Sequence, residues 1–112
     1  DQLLASHVTQ WNQIWSRGID IFGASGPLQD LQKLVTASLY YILISVDSEW
    51  PYSVAPGSID STSYNSHVFW DSELFVGPTL LHLYPEFAQS FIEYRLNRRE
   101  GARLKAESYP TP

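Results

Sequence analysis

The sequence predicts an all-α fold. Apolar residues recur at intervals of three and four along most of the chain, which is the period of an amphipathic helix. No strand-rich region and no internal repeat stand out. Two prolines, Pro27 and Pro85, each precede such an apolar run and suit the first position of a helix, where the missing N–H has no intrahelical partner to lose.

The first helix is predicted over residues 1–17, and Gly18 is expected to end it. Its apolar stripe consists of Leu4, Val8, Trp11 and Trp15. Residues 19–22 alternate in polarity and are expected to form a short extended piece, closed by a glycine turn. A second helix is predicted from Pro27 to about Ser45, on the stripe Leu28, Leu31, Val35, Leu39 and Ile42. The two helices are expected to form an antiparallel hairpin.

Residues 47–66 have no periodicity and contain Pro51, Pro56 and Gly57. Structureless stretches of this length are uncommon in compact domains unless they are functional or disordered. Aromatic residues argue against disorder, and three lie here: Trp50, Tyr52 and Tyr64. We therefore predict an ordered loop that delivers the following residues to a cleft.

Those following residues, 67–75, are called the strip. They place aromatic rings beside carboxylates, which is the combination that a sugar needs, because its C–H faces stack on rings and its hydroxyls donate to carboxylate oxygens. Asp71 is interpreted equally well as a helix cap or as a ligand group. Glu73 lies two positions away and does not face Asp71 on a helix, so it is interpreted as a structural residue. Trp70, on sequence alone, is more typical of a core.

Two further helices are predicted after the strip. Pro78 conflicts with a regular helix from Asp71, so that helix either starts near Val76 or is kinked. Pro85 opens a last helix, with a bend expected at Gly101. The residues predicted to face inward on it are Phe87, Phe91, Tyr94, Ala88, Ile92, Ala102 and Ala106.

Composition excludes several kinds of site. The chain of 112 residues has no cysteine, which rules out disulfides and thiolate metal ligands. Its histidines, His7, His67 and His82, lack a metal-ligand spacing. A basic run over residues 95–107 is interpreted as a solvated helix face, because the net charge of −5 opposes nucleic-acid binding. No apolar run approaches the length needed to span a membrane.

Residues 64–73 read Tyr-Asn-Ser-His-Val-Phe-Trp-Asp-Ser-Glu, and this run resembles the motif Tyr-x-Gly-His-x-Phe-Trp-Asp-x-Glu of glycoside hydrolase family 65. Ser66 departs from the motif, which has glycine there. The family includes acid trehalases, the collagen glucosylgalactosyl-hydroxylysine glucosidase, and disaccharide phosphorylases, and residues 53–56 most resemble the trehalase and glucosidase branch. Further matching positions are Pro78, Leu80, Leu81, Tyr84, Pro85, Ala88, Tyr94 and Arg95.

The resemblance implies that residues 1–112 are the N-terminal part of an (α/α)6 barrel catalytic domain, with 47–66 as its active-site loop. It implies an inverting, acid-trehalase-like α-glucoside hydrolase that releases glucose from a disaccharide or glycan and needs no cofactor or metal. The residues expected to bind substrate are Trp70, Asp71, Phe69 and His67. The general acid and base of the family lie on later segments, so this chain carries no catalytic residue.

The chain is consequently expected to be an excised piece, inactive alone, that binds the remainder of the barrel or self-associates. Neither nucleic acid nor a membrane is an expected partner. Likeness to acid trehalases is compatible with a secreted, vacuolar or lysosomal location. Two alternatives stay open: a non-catalytic sugar-binding or interaction remnant of such an enzyme, and a piece of a related disaccharide phosphorylase.

Overall fold

The computed structural model describes residues 1–23, 25–50, 52–58 and 63–109. The all-α prediction is confirmed, since these residues form helices joined by loops and none of them lies in a β-strand. The α-helices are α1 (Gln2–Trp15), α2 (Pro27–Leu43), α3 (Gly77–Leu83), α4 (Pro85–Asn97) and α5 (Arg99–Glu107). A short 3-10 turn covers Ser63–Ser66, and a π-helical segment covers Ser72–Val76.

The chain divides into two compact units, Asp1–Ile44 and Ser45–Pro112. In the first unit, α1 and α2 meet through aromatic side chains. The ring centroids of Trp11 and Tyr40 lie 5.5 Å apart, and Trp11 also stacks on Trp15 at 5.5 Å. No side chain of α1 is fully buried. The predicted helical pair is therefore loosely packed within this unit.

The end of α1 differs from the prediction. The helix ends at Trp15, before Gly18, and Ser16 caps it in a right-handed conformation with its N–H donating to the carbonyl of Asn12 at 3.0 Å. This helix end needs no glycine in the left-handed conformation, because the Ser16 N–H bonds to a carbonyl within the last turn.

Residues 19–22 do not form a strand. Instead, the side-chain amide of Gln32 bonds to their backbone: its Oε1 accepts from the N–H of Ile21 at 2.6 Å, and its Nε2 donates to the carbonyl of Ile19 at 3.0 Å. One glutamine from α2 thus supplies the donor and the acceptor that a neighbouring strand would supply.

The core of the second unit lies where α3 and α4 pack together. Its buried side chains are Val54, Ser72, Leu80, Tyr84, Ser90 and Phe91. Tyr84 separates the two helices with φ −143° and ψ 64°, and its N–H donates to the carbonyl of Leu80 at 2.7 Å. Pro85 then begins α4, as predicted.

The conflict at Pro78 is resolved by the π-helical segment. Its wide turn ends with the N–H of Gly77 donating to the carbonyl of Ser72, and α3 begins at Gly77, so Pro78 occupies the first turn, where no N–H is required. A Cβ atom at position 77 would lie 3.3 Å from the carbonyl oxygen of Ser72, a tight contact that glycine avoids. The predicted late start near Val76 is confirmed for the α-helical part.

Two predictions for the last helix are wrong. The helix breaks at Arg98, where φ is −108° and ψ is 3°, and not at Gly101. The positions predicted inward that are instead exposed are Ile92, Ala102 and Ala106. The reason is that α4 turns the neighbouring face, with Ser90 and Phe91, toward α3, so the face of Ile92 is left on the surface.

Candidate functional site

The four predicted site residues lie in the strip, between the 3-10 turn and the π-helical segment. His67, Phe69 and Trp70 are exposed, and Asp71 is half-buried. Trp70 leaves 61% of its surface open to solvent, so the interpretation as a core residue does not hold within this chain. An indole of that size in the open presents a flat apolar face to a ligand.

The rings of the strip form two groups. Phe69 meets Tyr64 edge-on, with centroids 5.7 Å apart and an interplanar angle of 76°, and it lies 6.2 Å from the ring of His67. Trp70 instead contacts Phe75 at 5.7 Å with the rings tilted by 52°. Phe75 lies on the π-helical segment, so the indole is supported by the element that follows it rather than by its sequence neighbour Phe69.

His67 is oriented by the turn before it. Tyr64, Asn65 and Ser66 all have positive φ, of 55°, 53° and 57°. The carbonyl of Tyr64 accepts from the backbone N–H of His67 at 3.1 Å and lies 2.9 Å from its Nδ1. Because a carbonyl oxygen can only accept, Nδ1 carries a proton and donates it to the Tyr64 carbonyl. The left-handed turn therefore fixes both the position of His67 and its hydrogen-bonding character.

Asp71 occupies the N-cap position of the π-helical segment, but its side chain does not act as a cap. It precedes the π-helical segment with helical backbone angles, φ −56° and ψ −37°, and its side chain makes no capping hydrogen bond. Its carboxylate has no ion pair or hydrogen bond with the described residues. The Asp71 side chain thus makes no capping bond, and its half-buried carboxylate has no partner among the described residues.

Ser72 connects the strip to the preceding loop. Its buried hydroxyl donates to the carbonyl of Val54, which is itself buried. This bond ties the described part of the predicted 47–66 loop to the start of the π-helical segment, whereas Pro51 and residues 59–62 of that loop lie outside the described residues. Asp71 directly precedes Ser72, so this hydrogen bond also restrains the backbone at Asp71.

Glu73 is engaged by an arginine that the sequence analysis did not assign to the site. The Nε of Arg95 lies 2.8 Å from Glu73 Oε1, its Nη2 lies 3.1 Å from Glu73 Oε2, and the same Nη2 donates to the carbonyl of Phe69 at 3.1 Å. The hydrogen bonds to Glu73 hold the pKa of the Arg95 guanidinium above its ordinary value. Both side chains are partly exposed, at 46% and 39%, so solvent screens the pair.

A signal for this pairing existed in the sequence. No lysine or arginine occurs between Lys33 and Arg95, so Arg95 is the first cation that follows the carboxylates of the strip. The pattern alone cannot select Glu73 over Asp71, because that choice depends on how α4 packs beside the strip. Glu73 was expected to be structural, and the bidentate contact agrees with that expectation.

Two further arginines of the basic run, Arg98 and Arg103, also have partners. The guanidinium of Arg98 lies 4.2 Å from the ring centroid of Tyr94 and 5.1 Å from that of Tyr52, a cation–π arrangement that links the loop to the end of α4. Arg103 pairs with Glu100 and Glu107 along α5. Over the described part of the chain, no group of three or more residues could hold a metal ion, and no helix is long and apolar enough to cross a membrane.

Comparison with known proteins identifies the family. A model described as the glycosyl hydrolase family 65 central catalytic domain matches residues 36–110. The chain belongs to glycoside hydrolase family 65. The resemblance carried by residues 64–73 is confirmed by this match, and with it the assignment of the helices to part of the all-α catalytic domain of that family.

Relatives with known roles extend the match to nearly the whole chain. The protein-glucosylgalactosylhydroxylysine glucosidase of Dictyostelium discoideum is 42% identical over 110 residues, covering 97% of this chain. The kojibiose hydrolase of Flavobacterium johnsoniae is 36% identical over 108 residues, covering 96%. The kojibiose phosphorylase of Halothermothrix orenii is 31% identical over 106 residues, covering 95%.

The chain is short beside these family 65 proteins. It spans 15% of the length of the glucosidase, 15% of the hydrolase and 13% of the phosphorylase. No solved structure matches the chain significantly. The family relation therefore assigns the chain to the glycoside hydrolase family 65 catalytic domain, of whose relatives it spans about a seventh of the length.

Proposed function

We propose that the chain is part of an inverting α-glucoside hydrolase that releases glucose from a disaccharide or glycan. In this proposal residues 1–112 are the N-terminal part of an (α/α)6 barrel, and residues 47–66 are its active-site loop. Family membership and the relatives named as hydrolases support the reaction class. An inverting pair of carboxyl groups stands roughly 6.5–9.5 Å apart across the scissile bond. The strip does not supply such a pair, so the acid and the base come from other segments of the enzyme.

The observation that carries the proposal is the contrast between Asp71 and its neighbours. Ser72 and Glu73 are both bound to the protein, whereas Asp71 has no partner among the described residues and follows the exposed indole of Trp70. In the proposed −1 subsite the indole stacks on the glucosyl ring, and the Asp71 carboxylate accepts hydrogen bonds from its hydroxyls. Phe69 and His67 border the same subsite.

The substrate is proposed from the relatives. A glucosyl unit of a glucosylgalactosyl-hydroxylysine glycan or of kojibiose is favoured, because the two most identical relatives named above act on those compounds by name. Trehalose is the second candidate, supported by the likeness of residues 53–56 to the trehalase and glucosidase branch. A disaccharide phosphorylase is the third, supported by the relative named kojibiose phosphorylase.

The test of the reaction uses the full-length enzyme that contains this chain. Kojibiose, trehalose, maltose and glucosylgalactosyl-hydroxylysine are incubated with the enzyme, with and without inorganic phosphate, and the products are followed by proton NMR. Release of β-glucose without phosphate is expected, since inversion converts an α-glucoside into the β-anomer. Phosphate-dependent formation of a glucose phosphate would make the enzyme a phosphorylase.

The remnant alternative predicts something different for the protein in the cell. If the longer reading frame lacks the remaining barrel helices, the chain is a sugar-binding or interaction piece without catalysis. The purified 112-residue chain is expected to release no glucose from any of the four substrates. Enzyme-dependent release by this chain alone would contradict the assignment of the acid and the base to other segments.

The test of the site is Asp71→Asn in the full-length enzyme. The substitution keeps the side-chain shape but removes the charge, and a hydrogen bond to a charged group is worth about 1.5–3 kcal/mol. We expect kcat/KM to fall by about one to two decades, because more of that bond is realised in the transition state. The melting temperature should stay within a few degrees, since Asp71 has no protein partner to lose among the described residues. Near-normal activity in a stable variant would remove Asp71 from the subsite.

A further inference from the structure

We propose that Arg95 is the positioning residue of the candidate site: it fixes the backbone that carries Trp70 and Asp71 by holding the strip on both sides of them. This inference rests on the proposed function of Trp70 and Asp71. It adds a residue from α4 whose side chain does not itself bind the sugar.

The geometry is a clamp with two anchor points. One guanidinium donates from Nε and Nη2 to the two carboxylate oxygens of Glu73, at 2.8 and 3.1 Å. The same Nη2 donates to the backbone carbonyl of Phe69 at 3.1 Å. Phe69 and Glu73 lie on either side of Trp70 and Asp71 in the sequence, so both proposed ligand residues fall between the two points that Arg95 holds.

The Phe69 carbonyl belongs to the peptide group that joins Phe69 to Trp70. Phe69 lies outside any helix, so no helical hydrogen bond orients this peptide group. The bond from Arg95 therefore fixes the plane from which the Trp70 side chain departs. On the other side, Glu73 lies within the π-helical segment, whose first turn is already tied to the loop through Ser72.

The clamp begins on a packed part of α4. Arg95 follows Phe91 by one helical turn on α4, and Phe91 is among the most buried side chains of the unit. The Arg95 guanidinium also lies 5.4 Å from the ring centroid of Tyr94. Its position is thus defined by the packed face of α4, and the clamp transmits that position to the strip.

Only arginine satisfies these demands at once. A planar guanidinium offers several N–H groups in fixed directions, whereas the ammonium of lysine is a point charge on a flexible stem. Arg95→Lys keeps the charge and the overall length but loses the simultaneous contact with Glu73 and Phe69. A merely electrostatic role for Arg95 would be largely preserved by lysine, and a positioning role would not.

The experiment is a double-mutant cycle in the full-length enzyme, with Arg95→Lys, Asp71→Asn and both together. We expect Arg95→Lys to lower kcat/KM by about ten- to a hundredfold, since a misplacement near 1 Å costs that order. In the Asp71→Asn background the same change should cost clearly less, because the carboxylate has already lost its function and only the positioning of Trp70 remains to be lost. KM of the Arg95→Lys variant should rise as well. Partial unfolding of the variant would instead lower the apparent kcat and leave KM unchanged.

Arg103→Lys is the matched control. Arg103 also forks onto a carboxylate, with Nε 3.1 Å from both oxygens of Glu100, but it lies on α5 and its ion-pair partners are both on that helix. It should leave kcat/KM unchanged. If Arg95→Lys does not fold, Glu73→Gln replaces it, since this variant keeps the side-chain shape and weakens the same clamp.

The outcomes separate the two proposals. A large loss for Asp71→Asn, with an Arg95→Lys effect that is absent or equal in both backgrounds, overturns the positioning role and leaves the site intact. An unchanged kcat/KM for Asp71→Asn overturns the site itself, and with it the positioning role that rests on the site. A loss for Arg95→Lys that is clearly smaller in the Asp71→Asn background, with a stable melting temperature, supports the clamp.

Discussion

The strip and α1 both expose apolar side chains, but they differ in how the backbone beneath those side chains is held. In the strip, Trp70 is exposed while Ser72 and Glu73 are bound to the distant residues Val54 and Arg95. In α1, none of the side chains is fully buried, and the leucines near its start are exposed. Exposed rings on an anchored backbone suit the proposed ligand surface, whereas an apolar stripe on a loosely packed helix suits a proposed docking surface.

The largest effect expected from a substitution on the anchored side concerns Phe91. Phe91→Ala should lower the free energy of unfolding of the 112-residue chain by about 3–5 kcal/mol, because it leaves a cavity between α4 and α3. The measurement is the urea midpoint at constant slope. Ile92→Ala is the matched control: Phe91 is 3% exposed and Ile92 is 63% exposed, so the control should cost less than about 1 kcal/mol. Equal losses would mean that α4 buries both faces.

The same pair shows what periodicity can and cannot establish. The spacing of apolar residues predicted a helix from Pro85, and α4 begins there. It also predicted that Ile92 faces inward, which is wrong for this chain. Adjacent apolar residues on a helix point about 100° apart, so two stripes were available, and the sequence does not state which of them α3 covers.

A medium effect is expected at the bond that joins the loop to the strip. Ser72→Ala removes the donor to the Val54 carbonyl and leaves that buried oxygen without this partner, which should cost about 1–3 kcal/mol. The urea midpoint measures this loss.

The control for Ser72 is Ser108→Ala, because the Ser108 hydroxyl also donates to a backbone carbonyl, that of Lys105 at 2.7 Å, but in an exposed turn. Water can replace that bond, so its removal should change stability by less than about 0.5 kcal/mol. A Ser72→Ala variant as stable as the control would show that the loop is not held through this hydroxyl.

A smaller effect, of opposite sign, is expected at Ser66. Its φ of 57° lies in the left-handed region, and the family motif that it resembles has glycine at this position. Relief of the left-handed conformation is worth about 1–2 kcal/mol, and the greater entropy of unfolded glycine offsets part of it. Ser66→Gly should therefore stabilise the chain by roughly 0.5–1 kcal/mol in urea unfolding.

Ser108→Gly is the control for this substitution, since Ser108 has φ −78° and gains nothing from glycine. It should destabilise the chain slightly. A destabilised Ser66→Gly variant would mean that the serine side chain contributes more at the turn than the backbone strain costs.

Part of the candidate site could be predicted from local sequence, and part of it depends on how the helices pack. Because Glu73 lies two positions from Asp71, the sequence analysis interpreted it as a structural residue. The structure agrees, since Glu73 pairs with Arg95. The choice between cap and ligand for Asp71 was undecidable from residue type, because aspartate suits both. Arg95 was missed because it is 22 positions from Glu73, and such a contact follows from the packing of α4, not from any local pattern.

The smallest effect on stability is expected on α1, where the consequence appears in association instead. Leu4 is 62% exposed, so Leu4→Gln should change the urea midpoint by less than the equivalent of about 0.5 kcal/mol. It interrupts the apolar stripe that α1 leaves uncovered, so sedimentation velocity should show a larger monomer fraction of the 112-residue chain. Leu74→Gln is the matched control, because Leu74 is also 62% exposed but belongs to the strip. If the strip is a ligand surface and α1 a docking surface, the control leaves association unchanged. Equal shifts from both variants would remove the distinction between the two regions, and exposure alone would then explain the association of the chain.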